Sequence, residues 1–209
     1  MGLEKYRIAQ PNERETLTFY NQENQPIGTA EREEAIKKGL LIEWVQLWII
    51  NPDTNQVLMQ KRSKNKKSNP GKIDVSVSGH VKPHETAIQA ILREASEEIG
   101  IKDIRQLYSQ MQKIAENQID LRKFGRQGNY SMTFFLLFSK DSLEVYTKDD
   151  EEVEELFFMD YEELKRRVRE DDKEMFIPKS EKTENLFSIL DEKIKNKNQG
   201  KEMIIWEEK

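Results

Sequence analysis

Residues 79–101 constrain the chain more than any other stretch, because they join a glycine-led loop to a helix of unusual charge. The segment reads GHVKPHETAIQAILREASEEIGI. Its apolar residues recur at three- and four-residue steps, which predicts an amphipathic helix over residues 85–99. The core-facing positions are Ile88, Ile91, Leu92, Ala95 and Ile99. Gly100 is placed to end this helix at its carboxyl terminus.

Three carboxylates lie together on one flank of the predicted helix. With 100° per residue, Glu94, Glu97 and Glu98 fall at about 240°, 180° and 280° from Ile88. Like charges at this spacing repel by about 0.2–0.5 kcal/mol per pair, and the last turn is the negative end of the helix dipole. Mg²⁺ bound by carboxylate oxygens would reverse this balance. The alternative is a solvated acidic face in a chain with 35% charged residues.

The fixed positions of residues 79–101 resemble the Nudix box. Gly79, Glu85, Arg93–Glu94, Glu97–Glu98 and Gly100 are all present at the required spacing, with Ala95 and Ile101 at its two apolar positions. The resemblance implies an α+β fold, in which an α/β/α sandwich surrounds a mixed β-sheet. It also implies attack by water on a diphosphate bond, usually in a nucleoside diphosphate linked to another group.

The resemblance assigns roles to particular residues. Glu94, Glu97 and Glu98 would bind Mg²⁺ or Mn²⁺ together with the backbone carbonyl of Ser78, and Glu94 and Glu97 would be catalytic. Gly79 would let the loop approach the helix, and Glu85 and Arg93 would hold loop and helix together. The general base varies within the family. Glu152 and Glu155, in the acidic run 149–155, are candidates for it, and a solvated loop is the alternative for this run.

Residues 60–80, QKRSKNKKSNPGKIDVSVSGH, are similar to the matching stretch of type I isopentenyl-diphosphate isomerases. The shared positions are Arg62, Lys66, Pro70, Gly71, Gly79 and His80. Ser78 stands where those enzymes carry their catalytic cysteine, and the chain has no cysteine. Ile36 and Ile42 stand where they take metal-binding histidines. We therefore expect a hydrolase on an isomerase-like scaffold, with an isomerase-like enzyme or a non-catalytic nucleotide sensor as alternatives.

Five further residues are considered for contact with the substrate. The counterparts of Arg62 and Lys66 grip diphosphate in the isomerases, a role suited to guanidinium and ammonium groups. A solvated basic loop is the alternative for both residues. His80 follows the box glycine and is a candidate contact to phosphate or to a leaving group. Trp44 and Trp48 share one face of a strand, which favours core packing over stacking on a base.

The remaining pattern predicts a polar arm over residues 1–15 and a single domain over residues 16–209. We expect a hairpin at 17–30, a short helix at 31–39, a central strand at 40–50 paired with 57–62, a basic loop at 63–72 and a strand at 73–79. Strands are expected at 103–113, 130–139 and 153–159, and helices at 160–170 and 181–196. Residues 114–130 are expected to form a specificity loop and 193–201 an exposed linker. The last residues are expected to add an edge strand.

The composition and the charge of the chain restrict the classes of binding partner that we expect. The net charge of −5 gives no general attraction to nucleic acid. No stretch approaches the ~18 apolar residues of a membrane span, and the first residues lack the apolar run of a signal peptide. We therefore expect a cytoplasmic protein with a small-molecule diphosphate as its partner and without contact to membranes. Exposed strand edges make a homodimer a further expectation.

Overall fold

The computed structural model describes residues 15–66 and 68–201, which form one mixed nine-stranded sheet with helices on both faces. The strands are β1 (Thr16–Tyr20), β2 (Pro26–Glu31), β3 (Leu41–Asn51), β4 (Gln56–Arg62), β5 (Ile73–Asp74), β6 (Val77–His80), β7 (Gln112–Asp120), β8 (Asn129–Phe138) and β9 (Val153–Asp160). The helices are α1 (Arg32–Lys38), α2 (Ala87–Ile99), α3 (Ile104–Gln110), α4 (Tyr161–Arg169) and α5 (Glu181–Asn198). The predicted α+β sandwich is confirmed.

Strand β3 is the centre of the sheet. It runs parallel to β8 and antiparallel to β1 and β6. Its sequence is almost wholly apolar, as suits a strand covered on both faces. Successive side chains point to opposite faces, so Trp44 and Trp48 enter one core while Val45 and Leu47 enter the other. The prediction that this strand is buried on both faces, with both tryptophans in the core, is confirmed.

The two cores belong to different helices. On one face, Ile91, Ala95 and Ile99 of α2 pack against the Val45 side of β3. On the other face, α4 and α5 cover the Trp48 side, where Leu164 and Phe187 are fully buried. The sheet therefore has one face for the glutamate-bearing helix and a second, more aromatic face.

Helix α2 begins two residues later than its apolar spacing suggests. Thr86 is the N-cap: its hydroxyl accepts from the Gln89 N–H, and the Gln89 side chain accepts from the Thr86 N–H. This reciprocal pair satisfies two amides at the start of the helix. At the other end, Gly100 takes the left-handed conformation with φ 70°. Glu85 consequently lies outside the helix.

The prediction of a strand over residues 103–113 is wrong. Asp103 caps helix α3 by accepting from the Gln106 N–H, and Leu107 is buried on its inner side. Strand β7 follows over Gln112–Asp120, so residues 115–120 of the expected specificity loop at 114–130 pair with β8 instead. The apolar positions at 104, 107 and 111 have helical spacing, which a short window confuses with a strand.

Three other expectations differ from the structure, two of them in the sheet. Strand β4 meets β3 only at Ile50–Val57 and Asn51–Gln56, and its main partner is β9. The strand expected at 73–79 is two strands, because β5 pairs with β4 while β6 pairs with β3. The linker expected at 193–201 is wrong, since α5 continues to Asn198.

The expectations for the chain ends lie largely outside the described residues. Residues 1–14 of the expected arm and the C-terminal edge strand are among these. Glu15, at the end of the expected arm, is described: its carbonyl accepts from the Arg32 N–H at 2.8 Å. Among the helices of the described ranges, none combines the length and the apolar character of a membrane span.

Candidate active site

Arg93 joins the loop before α2 to the helix itself. Its Nε and Nη2 donate to the two oxygens of Glu85 at 2.8 and 2.9 Å, and Nη2 also donates to the His80 carbonyl at 3.0 Å. Its Nη1 donates to Glu94 at 2.7 Å and to Glu97 at 3.0 Å. A planar guanidinium can hold several oxygens in fixed directions. Arg93 therefore sets the position of the loop relative to two of the three glutamates.

Gly79 lies directly against the Glu94 carboxylate. A Cβ atom at this position would overlap the Glu94 side chain. The backbone φ of Gly79 is not in the left-handed region, so space rather than conformation requires glycine here. The absence of a side chain lets strand β6 and helix α2 approach each other at the glutamates.

Glu98 is a buried carboxylate held by two donors. Its Oε2 accepts from the Ser78 N–H at 3.1 Å and from Gln60 Nε2 at 3.0 Å. Ser78 lies in β6 and Gln60 in β4, so Glu98 fills the gap between two strands that do not pair with each other. Glu97, by contrast, has 53% of its side chain exposed.

The environment of Glu94 and Glu98 favours the binding of a cation. Burial raises the pKa of Glu94 to about 7, where the nearby Glu97 and Glu15 add to the shift and Arg93 opposes it. Burial, together with the charge of Glu94, raises the pKa of Glu98 well above its ordinary range. Two buried carboxylates that repel each other are stable as anions only with a cation beside them.

Arg62 is buried rather than free in a solvated loop. Its guanidinium donates to Asp74 Oδ2 at 3.4 Å and to the Ser68 carbonyl at 3.3 Å, and it lies 5.7 Å from the centroid of the Phe176 ring. Asp74 also accepts from the Ser78 hydroxyl at 3.0 Å. Burial raises the pKa of Asp74, although Arg62 opposes the shift. Arg62 is thus fixed close to Ser78.

Lys66 lies beside Glu152, whereas Glu155, the other candidate base, lies elsewhere. Lys66 pairs with Glu152, and both side chains are partly buried. Glu155 lies opposite Lys61 in the β4–β9 pair. Leu156 and Phe158 of the same strand pack in the α2 core, and alternation along β9 turns Glu155 away from that face. The structure therefore brings Glu152, but not Glu155, towards Arg62 and Lys66.

His80 is buried in an aromatic cluster next to the box glycine. Its ring meets Trp44 edge-on at 4.5 Å between centroids, and Tyr130 lies 6.1 Å away. Its Nδ1 lies 3.5 Å from Glu15 Oε1, while Nε2 has no hydrogen-bond partner among the described residues. Burial lowers the pKa of His80, although Glu15 opposes the shift. His80 is therefore a buried imidazole next to Gly79, and its Nε2 is available for a hydrogen bond.

Comparison with known proteins agrees with this geometry. The model of the NUDIX domain matches residues 44–178, which is well over half of the chain. The chain belongs to the Nudix family. The matched range contains the glutamates of α2, the Arg93 network and Arg62, so the Nudix domain includes every element of the site except Glu15.

Individual relatives are more distant. Nudix hydrolase 3 of Arabidopsis thaliana is 28% identical over 68% of the chain, but the match covers only 18% of that protein. An uncharacterized Nudix hydrolase of Clostridium acetobutylicum is 28% identical, and the match covers 74% of each protein. An isopentenyl-diphosphate isomerase of Kocuria rhizophila is 33% identical over 44% of the chain and 51% of its own length. This last match agrees with the isomerase-like resemblance.

Solved structures support the Nudix fold. A Deinococcus radiodurans protein has a TM-score of 0.64 at 20% identity, covering 84% of this chain and 99% of its own. A bifunctional NMN adenylyltransferase/ADP ribose pyrophosphatase from Francisella tularensis has a TM-score of 0.51 at 20% identity, covering 73% of this chain and 41% of its own. These likenesses show the shared fold.

The Nudix box explains the glutamates, but several polar residues around it were not predicted. Gln60 and Asp74 are polar residues that are fully buried next to the apolar residues Met59 and Ile73. Their polarity at core positions is a sequence feature that indicates a site. Glu15 was assigned to the polar arm over residues 1–15, and Arg32 to the short helix over residues 31–39. Only the fold shows that Arg32 holds Glu15 at 3.1 Å, beside His80.

Proposed function

We propose that this Nudix protein hydrolyses a diphosphate bond in a small molecule with the help of Mg²⁺ or Mn²⁺. The observation that carries the proposal is the pair Glu94 and Glu98, whose pKa values are raised by burial and by neighbouring carboxylates, an effect that Arg93, bonded to Glu94, offsets only in part. Two such carboxylates lower the stability of the free protein. A diphosphate substrate with its divalent cation supplies the missing charge.

The residues present fit such a cation. Glu94, Glu97 and Glu98 would hold it with the Ser78 carbonyl, since these are the oxygen donors that Mg²⁺ prefers. Within the described ranges, no three acidic or histidine side chains already converge as ligands. The reason is that Glu94 and Glu97 bond to Arg93, and Glu98 to Gln60 and Ser78. When bound, the metal would neutralise charge on the phosphates and lower the pKa of a coordinated water.

The protein's own residues then divide the work. Arg62 and Lys66 bind the phosphate oxygens, because they are cations at the junction of β4 with the 63–72 loop, where Asp74 and Glu152 hold them in the free protein. Water attacks one phosphorus atom, the bridging P–O bond breaks, and the released phosphate carries the electron pair. Glu97 accepts the proton of the attacking water, since its carboxylate is more open to solvent than those of Glu94 and Glu98. Glu152 is the second candidate for this base.

The test is hydrolysis by the purified protein of nucleoside-diphosphate-linked compounds and isoprenoid diphosphates, with Mg²⁺ or Mn²⁺. Glu97→Gln and Glu98→Gln should each lower kcat by about 10²-fold or more, as expected when a general base or charge-stabilising group is lost. Glu155→Gln is the matched control, because Glu155 faces away from α2, and it should keep wild-type turnover.

Two results would contradict the proposal. If Glu97→Gln and Glu98→Gln both hydrolysed a substrate at the wild-type rate, neither glutamate would take part in the reaction. Conversion of isopentenyl diphosphate to its allylic isomer would favour the isomerase alternative. We expect no such conversion, because the Ser78 hydroxyl, bonded to Asp74, stands where that chemistry uses a cysteine.

A further inference from the structure

The segment between α4 and α5, residues 170–180, is bonded to the short strand β5. The Ile73 N–H donates to the Glu174 carbonyl at 2.8 Å, and the Phe176 N–H donates to the Ile73 carbonyl at 2.7 Å. The Phe176 side chain is buried in the core on the sheet face opposite α2. The segment is thus joined to the strand that carries Asp74, next in sequence to Ile73.

The ring of Phe176 is a main contact of the Arg62 guanidinium. The guanidinium carbon lies over the ring, 5.7 Å from its centroid, and an aromatic face attracts a cation at this distance. The hydrogen bonds of Arg62 to Asp74 and to the Ser68 carbonyl are long, at 3.4 and 3.3 Å, compared with about 2.7–3.2 Å for most N–H···O bonds. Its Nε is buried without a partner among the described residues. The ring therefore contributes strongly to the direction of this guanidinium.

Arg126, in the loop before β8, holds Phe176 from the other side. Its Nη1 donates to the Phe176 carbonyl, and its Nη2 donates to the Met175 carbonyl at 3.2 Å. Its guanidinium carbon also lies 5.9 Å from the centroid of the Phe176 ring. Two guanidinium groups therefore contact one ring, and one of them also fixes the backbone that carries it.

The environment of Arg126 differs from that of the other buried or half-buried arginines. Those in the described ranges each pair with a carboxylate: Arg32, Arg62, Arg93 and Arg167. Arg126 is half-buried and has no such pair among the same residues. Burial lowers the pKa of Arg126, although the charges of Asp171 and Asp74 oppose the shift. A cation that is partly removed from water without an ion pair is unfavourable by itself, so its bonds to residues 175–176 indicate a specific role.

We propose that Phe176 is a positioning residue, which holds the Arg62 guanidinium in the direction needed to bind phosphate, and that Arg126 in turn fixes Phe176. Arg62 has this phosphate-binding role under the proposed function, on which the inference rests. Because Phe176 packs on the sheet face opposite α2, its loss should leave the glutamates of α2 in place. Substrate binding should weaken while the chemical step is retained, so KM should rise with little change in kcat.

Binding of inorganic pyrophosphate in the presence of a chelator tests the role of the ring without turnover or metal. Phe176→Leu keeps an apolar side chain but removes the ring, so calorimetry should show about tenfold weaker binding. For a hydrolysed substrate, KM should rise by a similar factor while kcat stays within about twofold. Phe187→Leu is the matched control, because Phe187 lies in the same core with its ring against Trp48 and Tyr161. It should lose stability but keep wild-type affinity for pyrophosphate.

The position of Arg62 can be followed directly by ¹⁵N–¹H spectroscopy of arginine Nε–H groups in the full chain, with Arg62→Lys to assign its signal. Phe176→Leu should shift this signal, and Phe187→Leu should not. Arg126→Lys keeps the charge but cannot bond both carbonyls as the planar guanidinium does, so it should shift the signal too. Arg122→Lys is its control, because Arg122 lies in the same loop but pairs with Asp120.

A double-mutant cycle separates positioning of Arg62 from a general effect on the fold. With Arg62→Ala as background, Phe176→Leu should not weaken pyrophosphate binding further, because the group that it positions is gone. Equal losses of affinity in both backgrounds would overturn the inference, as would an unshifted Arg62 signal in Phe176→Leu. Arg126→Lys, at a half-buried position, replaces Phe176→Leu in each measurement if the latter does not fold.

The positioning role and the proposed chemistry fail in different ways. If the protein hydrolyses diphosphates and Phe176→Leu has the wild-type KM, the chemistry is supported and the positioning role is wrong. If the protein hydrolyses no diphosphate but Phe176→Leu weakens pyrophosphate binding through Arg62, the positioning role is supported and the chemistry is wrong. If wild-type protein does not bind pyrophosphate, Arg62 is not a phosphate ligand and the inference is wrong.

Discussion

At the scale of single residues, the site holds charges that cost folding free energy. Glu94 and Glu98 are buried close to each other, and Arg93 neutralises only part of their charge. Helical spacing in the sequence places three carboxylates on one flank, but it does not show which of them are buried. Burial depends on strands β4 and β6, whose positions no local pattern determines.

The first prediction concerns Glu94 in the metal-free protein. Its pKa rises from an ordinary 4.5 to about 7 on folding, so the folded state prefers the protonated form. The destabilisation is absent below about pH 4.5 and complete above about pH 7. Glu94→Gln should therefore raise Tm by about 2–6 °C at alkaline pH and much less in acid.

Thermal unfolding in the presence of a chelator, measured between about pH 5 and pH 8, checks this difference. Glu97→Gln is the control, because 53% of its side chain is exposed and its burial is correspondingly small. A Glu94→Gln protein whose Tm follows wild type at every pH would show that Glu94 is not held in a destabilising environment.

The second prediction concerns Gly79. Gly79→Ala places a methyl group where the Glu94 carboxylate lies, so either the loop or Glu94 must move. We expect about a tenfold or greater loss of kcat, since small displacements of a charged ligand are costly in a preorganised site.

A double-mutant cycle separates this clash from a general effect on the fold. With Glu94→Ala as background, Gly79→Ala should change Tm by much less than it does alone, because the clashing atoms are gone. Equal losses of Tm in both backgrounds would mean that the methyl group meets something other than Glu94.

At the scale of elements, the loop before α2 and the helix form one unit held by Arg93. The C-terminal end of α2 was predicted from Gly100, but its start was placed two residues early, because apolar spacing does not show that Thr86 caps the helix. Helix α3 and strand β7 were not predicted. Their short apolar patterns fit either structure, and the pairing of β7 with β8 settles the outcome. The same pairing places residues 115–120 of an expected loop in the sheet.

The third prediction concerns this unit. Arg93→Lys keeps the charge but cannot reach Glu85, the His80 carbonyl and Glu94 together. Both activity and stability should fall, with a loss of about 1–3 kcal/mol in the free energy of unfolding, as for a broken charged hydrogen-bond network. Denaturant titration and steady-state kinetics measure the two effects.

Arg166→Lys is the matched control on α4. Arg166 also contacts two glutamates, Glu163 and Glu170, but all three side chains are largely exposed. Exposed pairs contribute about 0–1 kcal/mol, so this variant should stay close to wild type in both measurements. If the two variants lost stability and activity to the same extent, the Arg93 network would not be what holds the loop and the helix together.

At the scale of the whole molecule, the sheet brings together residues that are far apart in sequence. The central strand was predictable from the long apolar run, and the sandwich from the resemblance of residues 79–101 to the Nudix box. The strand order was not, because β4 leaves β3 after two pairs and joins β9. Glu15, Gln60 and Asp74 reach the site only through that order. Whether the protein forms the expected homodimer stays a prediction, which sedimentation can test.

The fourth prediction concerns stability of the entire domain. Mg²⁺ that binds only the folded protein should raise Tm at alkaline pH. At one hundred times its Kd, the free energy of unfolding should increase by about 2.7 kcal/mol. In acid the effect should shrink, because protons compete for Glu94 and Glu98. Glu98→Gln should lose most of the shift, whereas sodium chloride of equal ionic strength should not reproduce it in wild type. Identical shifts from the two salts would exclude a specific site.

The parallel pairing of β3 with β8 has a consequence for how the protein folds. Its paired residues lie roughly 90 positions apart along the chain, and non-local pairing of this kind slows folding. Every glutamate of α2 lies inside the long segment that this pairing closes. Helix α2, with its own caps, can form early, but its carboxylates come together with β4 and β6 only after the segment closes. A newly made chain therefore acquires its local helices before its site.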